Sequence, residues 1–404
     1  MPDAFTGSSS PFMASNFSRV LRLLAILLLI ALSPVQAAEP RIGVMTMQPG
    51  QIFWERFGHN AIVVDDGKTQ TSYNFGFFDP SEPGFVGHFI QGRMNYLMAA
   101  LPLAQDLNYY RTAGRGVSIQ WLDLSAAQKQ TVIARLQFLS LPENARYRYD
   151  YFTNNCATQV RDVLDLALAG QLQKQWTASS LGNTYRSETV RLAWPAKWMA
   201  LGFDLGLSAR ADKPLNRWQD AFIPMRLADS LAESRTSPGK PLVLETETLL
   251  PNRIAPPPEE LPQWPITALL TGLALAGVFF TAIRLNRTLA NSLMLGFWLF
   301  SGLAGCIMLG LWLFTEHRFA HGNENLLLMS PMALTAALLY AVHKKSAFAH
   351  RCYVLSVRIV AGSAVAAVLF KLLGAGNQVN MNWLLLLLPL HWLIAKHALA
   401  ANDK

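Results

Sequence analysis

The sequence contains few cysteines. Its 404 residues include only three: Cys156, Cys306 and Cys352. Three thiols leave little scope for a disulfide framework. Cys306 lies in an apolar run and Cys352 in a basic segment, so only Cys156 belongs to the part of the chain that we expect to be exported. An unpaired cysteine in an oxidising compartment indicates a reactive thiol, with a buried structural side chain as the alternative.

The sequence also lacks the basic cluster expected of a nucleic-acid-binding protein. Its formal net charge is +8, but its Lys and Arg residues do not gather among aromatic side chains, as they do at a nucleic-acid interface. Instead, 51% of the residues are hydrophobic and the mean hydropathy is +0.22, which is too apolar for an ordinary soluble protein. In a membrane protein, an excess of basic residues marks the cytoplasmic loops.

The N-terminal segment is typical of a secretory signal. Arg19 and Arg22 precede the apolar run Leu23–Leu32, and the Val-Gln-Ala sequence at 35–37 resembles a cleavage site. The apolar run is shorter than the roughly 20 residues that cross a bilayer as a helix. We therefore predict a signal peptide over residues 1–38, with an uncleaved anchor as the alternative. Either would export the segment that follows.

The rest of the chain divides into a mixed part and an apolar part. Residues 39–250 alternate β-like runs with helical patterns and predict an exported α+β domain. Residues 251–264 contain three consecutive prolines and predict a stiff linker. Residues 265–400 predict a bundle of five membrane-spanning helices, because each apolar stretch approaches the roughly 20 residues needed. The stretches are Pro265–Ile283, Leu293–Phe314, Leu326–Val342, Val354–Leu373 and Met381–Leu399.

Basic residues orient the predicted spans. If the exported domain lies on one side of the membrane, most basic residues of the loops and of the C-terminus fall on the other. The opposite loops carry only Arg318, with Lys371 near a span end where its side chain can reach the interface. This distribution agrees with the positive-inside rule and with the signal peptide. The basic residues on the predicted cytoplasmic side are Arg284, Arg287, Lys344, Lys345, Arg351, Lys396 and Lys404.

This orientation brings one polar loop, residues 315–325, to the membrane surface beside the exported domain. It contains His317, His321, Asn323 and Asn325, together with two glutamates. Two histidines and a carboxylate can bind zinc, but this spacing is not diagnostic, and we predict no metal site. We predict instead that these four residues help to hold a substrate head group, with a solvated polar loop as the alternative.

Cys156 is predicted to lie in the first turn of a helix. Asn154 or Asn155 before it is a good N-cap residue, and we also predict that Asn155 helps to bind the substrate. Unpaired N–H groups and the helix dipole stabilise an anion at this end of a helix, so the position favours a thiolate. An apolar series with helical spacing follows the cysteine. Its members are Val160, Val163, Leu164, Ala167 and Leu168.

A thiol nucleophile needs a base, and His59 is the candidate. It enters a β-like run that ends at Asp65 and a turn signal. A two-residue hairpin turn at 66–67 would place His59 opposite Asn74, which would then orient the imidazole. A longer turn would shift the partner and make Asp65 or Tyr73 the candidate. Six nearby aromatic residues are candidates for an acyl pocket, with core packing as the alternative. They are Phe53, Trp54, Phe57, Phe75, Phe77 and Phe78.

These motifs resemble those of the Lnb family of bacterial lipoprotein N-acyltransferases. The similar segments are Phe-Gly-His-Asn-Ala at 57–61, Tyr-Asn-Phe-Gly at 73–76 and Asn-Asn-Cys-Ala-Thr-Gln-Val-Arg-Asp at 154–162. A strand-borne histidine before a helix-capping Asn-Cys also resembles the circularly permuted NlpC-like branch of the papain fold. The resemblance implies an α+β permuted papain-like (NlpC-like) exported domain followed by an all-α five-span transmembrane bundle. It also implies a multi-pass protein of the bacterial inner membrane with its N-terminal domain in the periplasm.

The resemblance further implies a thiol acyl-transfer site. Cys156 matches the family nucleophile and His59 the general base, with Asn74 as the expected third catalytic residue. A membrane phospholipid would be the acyl donor, and the acceptor would be the N-terminal cysteine amine of diacylated lipoproteins. We expect no cofactor.

Two other functions fit the same residues. In a periplasmic cysteine hydrolase, a lipid amidase or a cell-wall peptidase, water would attack the thioester instead of an amine. A non-catalytic membrane protein would use its exported domain to bind a partner. One fold hosts several chemistries, but the five predicted spans favour a lipid substrate, because a cell-wall peptidase needs only one anchor.

Overall fold

The computed structural model describes residue 3, residues 39–236 and residues 239–400. The predicted signal peptide, residues 1–38, otherwise lies outside the described residues. Residues from Arg41 onward belong to one compact unit. The mixed domain and the apolar helical region are therefore packed against each other.

A seven-stranded antiparallel sheet forms the frame of the first domain. The strand order is β6-β4-β3-β2-β1-β5-β7. Every neighbouring pair of strands is antiparallel, so a short loop is sufficient to connect β2 to β3. The longer connections carry helices. The strands are β1 (Arg41–Met47), β2 (His59–Asp65), β3 (Gln70–Phe77), β4 (Asn95–Pro102), β5 (Val117–Leu122), β6 (Arg146–Arg148) and β7 (Val243–Leu250).

Helices cover both faces of this sheet. Alternate residues of β2 point to opposite faces, so Ile62 joins the core beneath the helix of Cys156, whereas Ala61 and Val63 join a second core on the other face. The helices are α1 (Phe85–Ile90), α2 (Leu103–Ala113), α3 (Ala126–Leu139), α4 (Cys156–Ala167), α5 (Gln171–Thr177), α6 (Tyr185–Ala193), α7 (Lys197–Gly206), α8 (Arg217–Asp220) and α9 (Pro224–Glu233).

The predicted apolar face of α4 is confirmed. Val160, Leu164 and the other members of the series are all buried. They pack against Ile62 and Phe75 of the sheet. This packing fixes the helix over the β2–β3 hairpin and brings its N-terminus close to the start of β2.

The predicted register of the β2–β3 hairpin is wrong by two residues. Asn74 pairs with Ala61 rather than with His59. The connection between the strands has four residues instead of two, because the Asp66 carboxylate accepts the N–H groups of Lys68 and Thr69 and closes a wider turn. A shift of two preserves the alternation of faces, so Asn74 and His59 still lie on the same side of the sheet.

Four helices of the second part are long and apolar enough to cross a membrane. The predicted third span, Leu326–Val342, does not form a regular helix. It contains a 3₁₀ turn at Glu324–Leu327 and then α12, which at nine residues is about 14 Å long. Pro331 separates the two pieces, because proline has no N–H to continue the hydrogen-bond ladder. The helices are α10 (Pro265–Leu285), α11 (Arg287–Phe314), α12 (Met332–Tyr340), α13 (Ala347–Leu372) and α14 (Met381–Ala400).

Candidate active site

Cys156 is the first residue of α4, as predicted, and Asn155 is its N-cap. The Asn155 side-chain oxygen accepts the Thr158 N–H at 3.0 Å, and the Thr158 hydroxyl accepts the Asn155 N–H at 2.8 Å. The Asn155 amide nitrogen donates to the carbonyls of Tyr151 and Phe222. Because both N–H bonds of this amide are used within the protein, Asn155 holds the helix start in place and has no free donor for a substrate.

The Cys156 thiol and the His59 imidazole lie close enough for each to shift the pKa of the other. Burial alone would raise the pKa of the Cys156 thiol. The neighbouring His59 charge and hydrogen bond, together with the backbone N–H groups of Asn60 and Ala157, outweigh burial and lower this pKa. For His59, burial is the largest single effect and lowers the pKa, but the interactions with Cys156 and the charge of Asp106 together raise it, so the net direction is upward. The site therefore favours a thiolate–imidazolium pair.

Asn74 connects His59 to a buried carboxylate. The Asn74 side-chain oxygen lies 3.1 Å from His59 Nε2, and its amide nitrogen donates to Asp106 at 2.9 Å. Ser72 also donates to Asp106, at 2.7 Å. Because the Asn74 amide nitrogen is held by Asp106, its oxygen must face the histidine. The predicted contact between Asn74 and His59 thus exists, although the predicted pairing does not.

Sequence reasoning missed Asp106. It lies on α2, 32 positions after Asn74, and no local spacing links the two residues. Its carboxylate is buried and raises the pKa of His59, but less strongly than Cys156 does. Only the packing of α2 on the sheet face that carries His59 and Asn74 brings it into the site.

Gly76 leaves space beside the thiol. Continuing the β2–β3 register places Gly76 next to His59. A Cβ atom at Gly76 would lie 4.0 Å from the Cys156 Cβ and 3.8 Å from the Tyr147 hydroxyl oxygen. The Gly76 φ angle is +94°, a conformation that favours glycine. The Cys156 thiol thus reaches the sheet from the side covered by α4, at a position where β3 has no side chain to block it.

The Tyr147 hydroxyl is buried and has no hydrogen-bond partner within the part of the chain that the structure describes. Burial raises the pKa of Tyr147 well above its usual value, so the hydroxyl keeps its proton. A buried donor without a partner is costly. Its position near Gly76 and Cys156 makes it available to a bound group.

A row of aromatic side chains leads from the surface to the site. Trp54 is 60% exposed and contacts Phe78, with ring centroids 6.0 Å apart. Phe78 contacts Tyr96 at 5.1 Å, and Tyr96 contacts Tyr149 at 4.4 Å. Tyr149 lies beside Gly76. By contrast, Phe75 is fully buried beneath α4, where it packs in the core.

The four predicted loop residues make internal contacts. His317 lies 3.2 Å from the Tyr151 hydroxyl and 3.1 Å from the Ile90 carbonyl oxygen, and His321 lies 3.0 Å from the Thr315 carbonyl oxygen. None of the hydrogen bonds of these four side chains in the described structure involves Cys156 or His59. Among the described residues, no group of three His, Cys, Asp or Glu side chains is placed to hold a metal ion.

Asn323 and Asn325 attach the loop to the sheet domain. Both donate to the Leu205 carbonyl, at 2.8 and 3.0 Å. Glu316 pairs with Arg93 and Arg148 on the same domain. The loop therefore docks the first domain onto the helical region.

Two family models match the chain. Residues 32–193 match the Lnb N-terminal periplasmic domain, and residues 263–402 match the Lnb transmembrane domain. No curated protein and no solved structure matches the chain. The first match includes Cys156, His59, Asn74 and Asp106, and the second includes all five helices that follow the Pro-rich segment.

Proposed function

Because the chain belongs to the Lnb family, we propose that it is a membrane-bound thiol acyltransferase that modifies lipoproteins. Family membership supports a function related to lipoprotein N-acylation and a periplasmic N-terminal domain. The thiol mechanism is supported by one observation above all: Cys156, at the N-terminus of α4, lies beside Gly76, which the β2–β3 register places next to His59. We assign residues 39–250 to the periplasmic domain, 251–264 to a linker and 265–400 to the part in the inner membrane.

In the first half-reaction, the Cys156 sulfur attacks the carbonyl carbon of a phospholipid ester. A carbon–sulfur bond forms, and the carbon–oxygen bond to the glycerol breaks. His59 accepts the thiol proton and returns it to the leaving alcohol. The products are a Cys156 thioester and a lysophospholipid.

In the second half-reaction, the N-terminal amine of a diacylated lipoprotein attacks the thioester carbonyl. A carbon–nitrogen bond forms, the carbon–sulfur bond breaks, and His59 accepts a proton from the amine. The thiol is regenerated and the lipoprotein carries an amide-linked acyl chain. Both lipids stay in the membrane, so a domain held at the bilayer surface meets them by diffusion in two dimensions.

Asn74 and Asp106 act as positioning residues in this scheme. With Nε2 facing Asn74, the imidazole has Nδ1 left to exchange the proton with the thiol. Asp106 holds the amide of Asn74 and favours the protonated imidazole through its negative charge. This arrangement has the roles of a nucleophile, a base and an orienting group.

Two donors are available for the developing oxyanion. The Cys156 N–H is the first N–H of α4, which has no acceptor within its helix. The Tyr147 hydroxyl is a second candidate because it is buried, protonated and close to the thiol. We assign both to the stabilisation of the tetrahedral intermediate. The aromatic row from Trp54 to Tyr149 is our candidate for the path of the acyl chain.

The proposed function can be tested in cells that lack other N-acylating enzymes. Expression of this chain should convert diacylated lipoproteins to a form heavier by one amide-linked acyl chain, measured by mass spectrometry of their N-terminal peptides. Cys156→Ala should abolish the conversion, and Cys306→Ala, which removes an exposed free cysteine of α11, should retain it. Unchanged diacylated lipoproteins on expression of the unaltered chain would rule out this function.

A further inference from the structure

A cavity of about 620 Å³ opens on the domain beside the loop that follows α11. This volume lies within the roughly 300–1,000 Å³ of small-molecule sites. Five parts of the chain form its walls: the turn before α4, the start of α6, the segment between α7 and α8 that includes the 3₁₀ turn Ala209–Asp212, α8 itself, and the loop after α11. Its lining residues are Thr153, Tyr185, Arg210, Lys213, Pro214, Leu215, Gln219, Arg318 and Phe319.

The cavity has an excess of positive charge. Arg210, Lys213 and Arg318 line it, and no acidic residue does. Arg318 is paired with Asp150 at 3.0 Å and donates to the Thr153 hydroxyl. Within the described ranges, the side chains of Arg210 and Lys213 have no ion-pair partner, and both residues are exposed. Two cations therefore remain available to an anionic ligand.

The cavity lies at the end of the helical region that faces the sheet domain. The Ser208 N–H donates to the Phe319 carbonyl at 2.7 Å, and the Asp212 carboxylate accepts the Val379 N–H at 2.9 Å. Val379 lies in the connection between α13 and α14, and the loop of Phe319 follows α11. The membrane-capable helices that flank these connections thus end close to the cavity, where lipid phosphates would lie.

The cavity is also close to the candidate nucleophile along the chain. Thr153 is in the turn that leads into α4, three positions before Cys156. The rings of Tyr185 and Phe319 pack against each other at 4.9 Å and supply an apolar wall of the cavity. The cavity thus combines cations, which suit an anion, with apolar surface, which suits the lipid part of a ligand.

We propose that this cavity binds the phosphodiester anion of a membrane phosphoglyceride. The proposal rests on the proposed function, for which it identifies the head-group subsite of the acyl donor. The guanidinium of Arg210 matches phosphate oxygens with paired N–H donors, and the Lys213 ammonium adds a second charge. A free phosphate ion shares this chemistry, but it would not contact the apolar wall, and its binding would not require a position near the ends of the membrane-capable helices.

The test measures binding without turnover. The full-length Cys156→Ala protein in neutral detergent is treated with an amine-acylating reagent, and modification of Lys213 is quantified by peptide mass spectrometry. The added probes are dihexanoyl phosphatidylglycerol, dihexanoylglycerol and inorganic phosphate at constant ionic strength. Lys174, an exposed lysine on α5, reports on general reactivity in the same sample.

We expect the phospholipid to protect Lys213 at concentrations at least about tenfold lower than inorganic phosphate, and the neutral diacylglycerol to give no protection. Arg210→Gln should raise the half-protecting concentration about tenfold, because one charged hydrogen-bonding group is lost. The matched control Arg135→Gln, on the exposed side of α3, should not change it. Equal protection by phosphate and phospholipid would overturn the lipid assignment, and absence of protection would overturn the site.

Acyl-adduct formation on the unaltered protein separates this proposal from the proposed function. An acyl adduct on Cys156 without protection of Lys213 would leave the transferase standing and refute the head-group site. Protection without any adduct would support the site and refute the thioester mechanism.

Discussion

At the scale of single residues, the site depends on charges that stabilise each other. A buried thiol alone would be protonated and inert. The imidazolium of His59 and two backbone N–H groups reverse the effect of burial on Cys156, and Asp106 supports the imidazolium through its own charge. Asn74 holds the ring between these charges.

The pH dependence of thiol alkylation tests this pair. Because His59 lowers the pKa of Cys156, the thiolate should persist below the ordinary thiol pKa of about 8.5. In His59→Gln the contribution of the histidine is lost while the effect of burial remains, so the alkylation rate of Cys156 should fall at neutral pH and rise only above about pH 8.5. Rates followed by peptide mass spectrometry from pH 5 to 10 would show the shift. An identical profile in the variant would contradict the pairing.

Tyr147→Phe tests the oxyanion assignment. Loss of a donor that acts only on the tetrahedral intermediate should lower kcat by about 10- to 100-fold with little change in KM. Since the hydroxyl has no partner in the described structure, its removal should not lower thermal stability. Steady-state transfer to a synthetic diacylated lipopeptide and a thermal melt give both quantities. A variant with unchanged kcat would show that Tyr147 only packs.

At the scale of secondary structure, the predictions succeeded where a local pattern was sufficient. The capped start of α4 and its buried face follow from Asn155 and the apolar spacing, which are local in sequence. The His59–Asn74 contact was found despite a register error of two, because that error preserves the face of the sheet. No local pattern indicates Asp106, because its position in the site depends on how α2 packs against the sheet.

The third apolar stretch shows that hydropathy alone does not predict a regular helix. Its hydropathy predicts a span, yet Pro331 divides it and the carbonyl of Leu328 is satisfied by His391 of α14. Such irregular backbone is tolerated where protein groups satisfy it. Hydrogen-bond partners that lie far away in the sequence therefore determine the conformation of this segment. A prediction from local hydropathy does not include such partners.

Gly76→Ala tests the conformation of β3 beside the thiol. An alanine at φ +94° should cost about 1–2 kcal/mol of folding stability and move the strand at the site, so acyl transfer should fall as well. The control is Gly87→Ala in α1, where a Cβ meets no atom within 4 Å and alanine is the better helix former. Melting temperature and transfer rate are measured for both. Equal behaviour of the two variants would contradict the role assigned to Gly76.

At the scale of the whole molecule, buried amides join the sheet domain to the helical region. The exposed ion pairs of Glu316 with Arg93 and Arg148 contribute little by themselves, because water screens them. Asn325 is fully buried and bridges the Leu205 carbonyl to the amide of Asn380. The polar loop that we expected to hold a head group docks the domain through these contacts, and Arg318 of the same loop lines the cavity.

Asn325→Ala tests this docking. The substitution leaves the Asn380 amide without its partner and should destabilise the docked state by about 1–3 kcal/mol. Limited proteolysis in detergent should then cleave the variant faster between the domain and the helices. Asn95→Ala, at an exposed position of β4, is the control. Equal cleavage rates in both variants would show that docking does not depend on Asn325.

The central claim is that Cys156 carries the acyl chain. The most direct measurement is the intact mass of the full-length protein after incubation in nanodiscs made of a phosphoglyceride with one defined acyl chain, followed by acid quenching. We predict a mass increase of one acyl chain on Cys156, which hydroxylamine should remove. A diacylated lipopeptide with a free N-terminal amine should accept this acyl chain and form an amide product. An adduct that persists in Cys156→Ala, or lipopeptide acylation by that variant, would contradict the account.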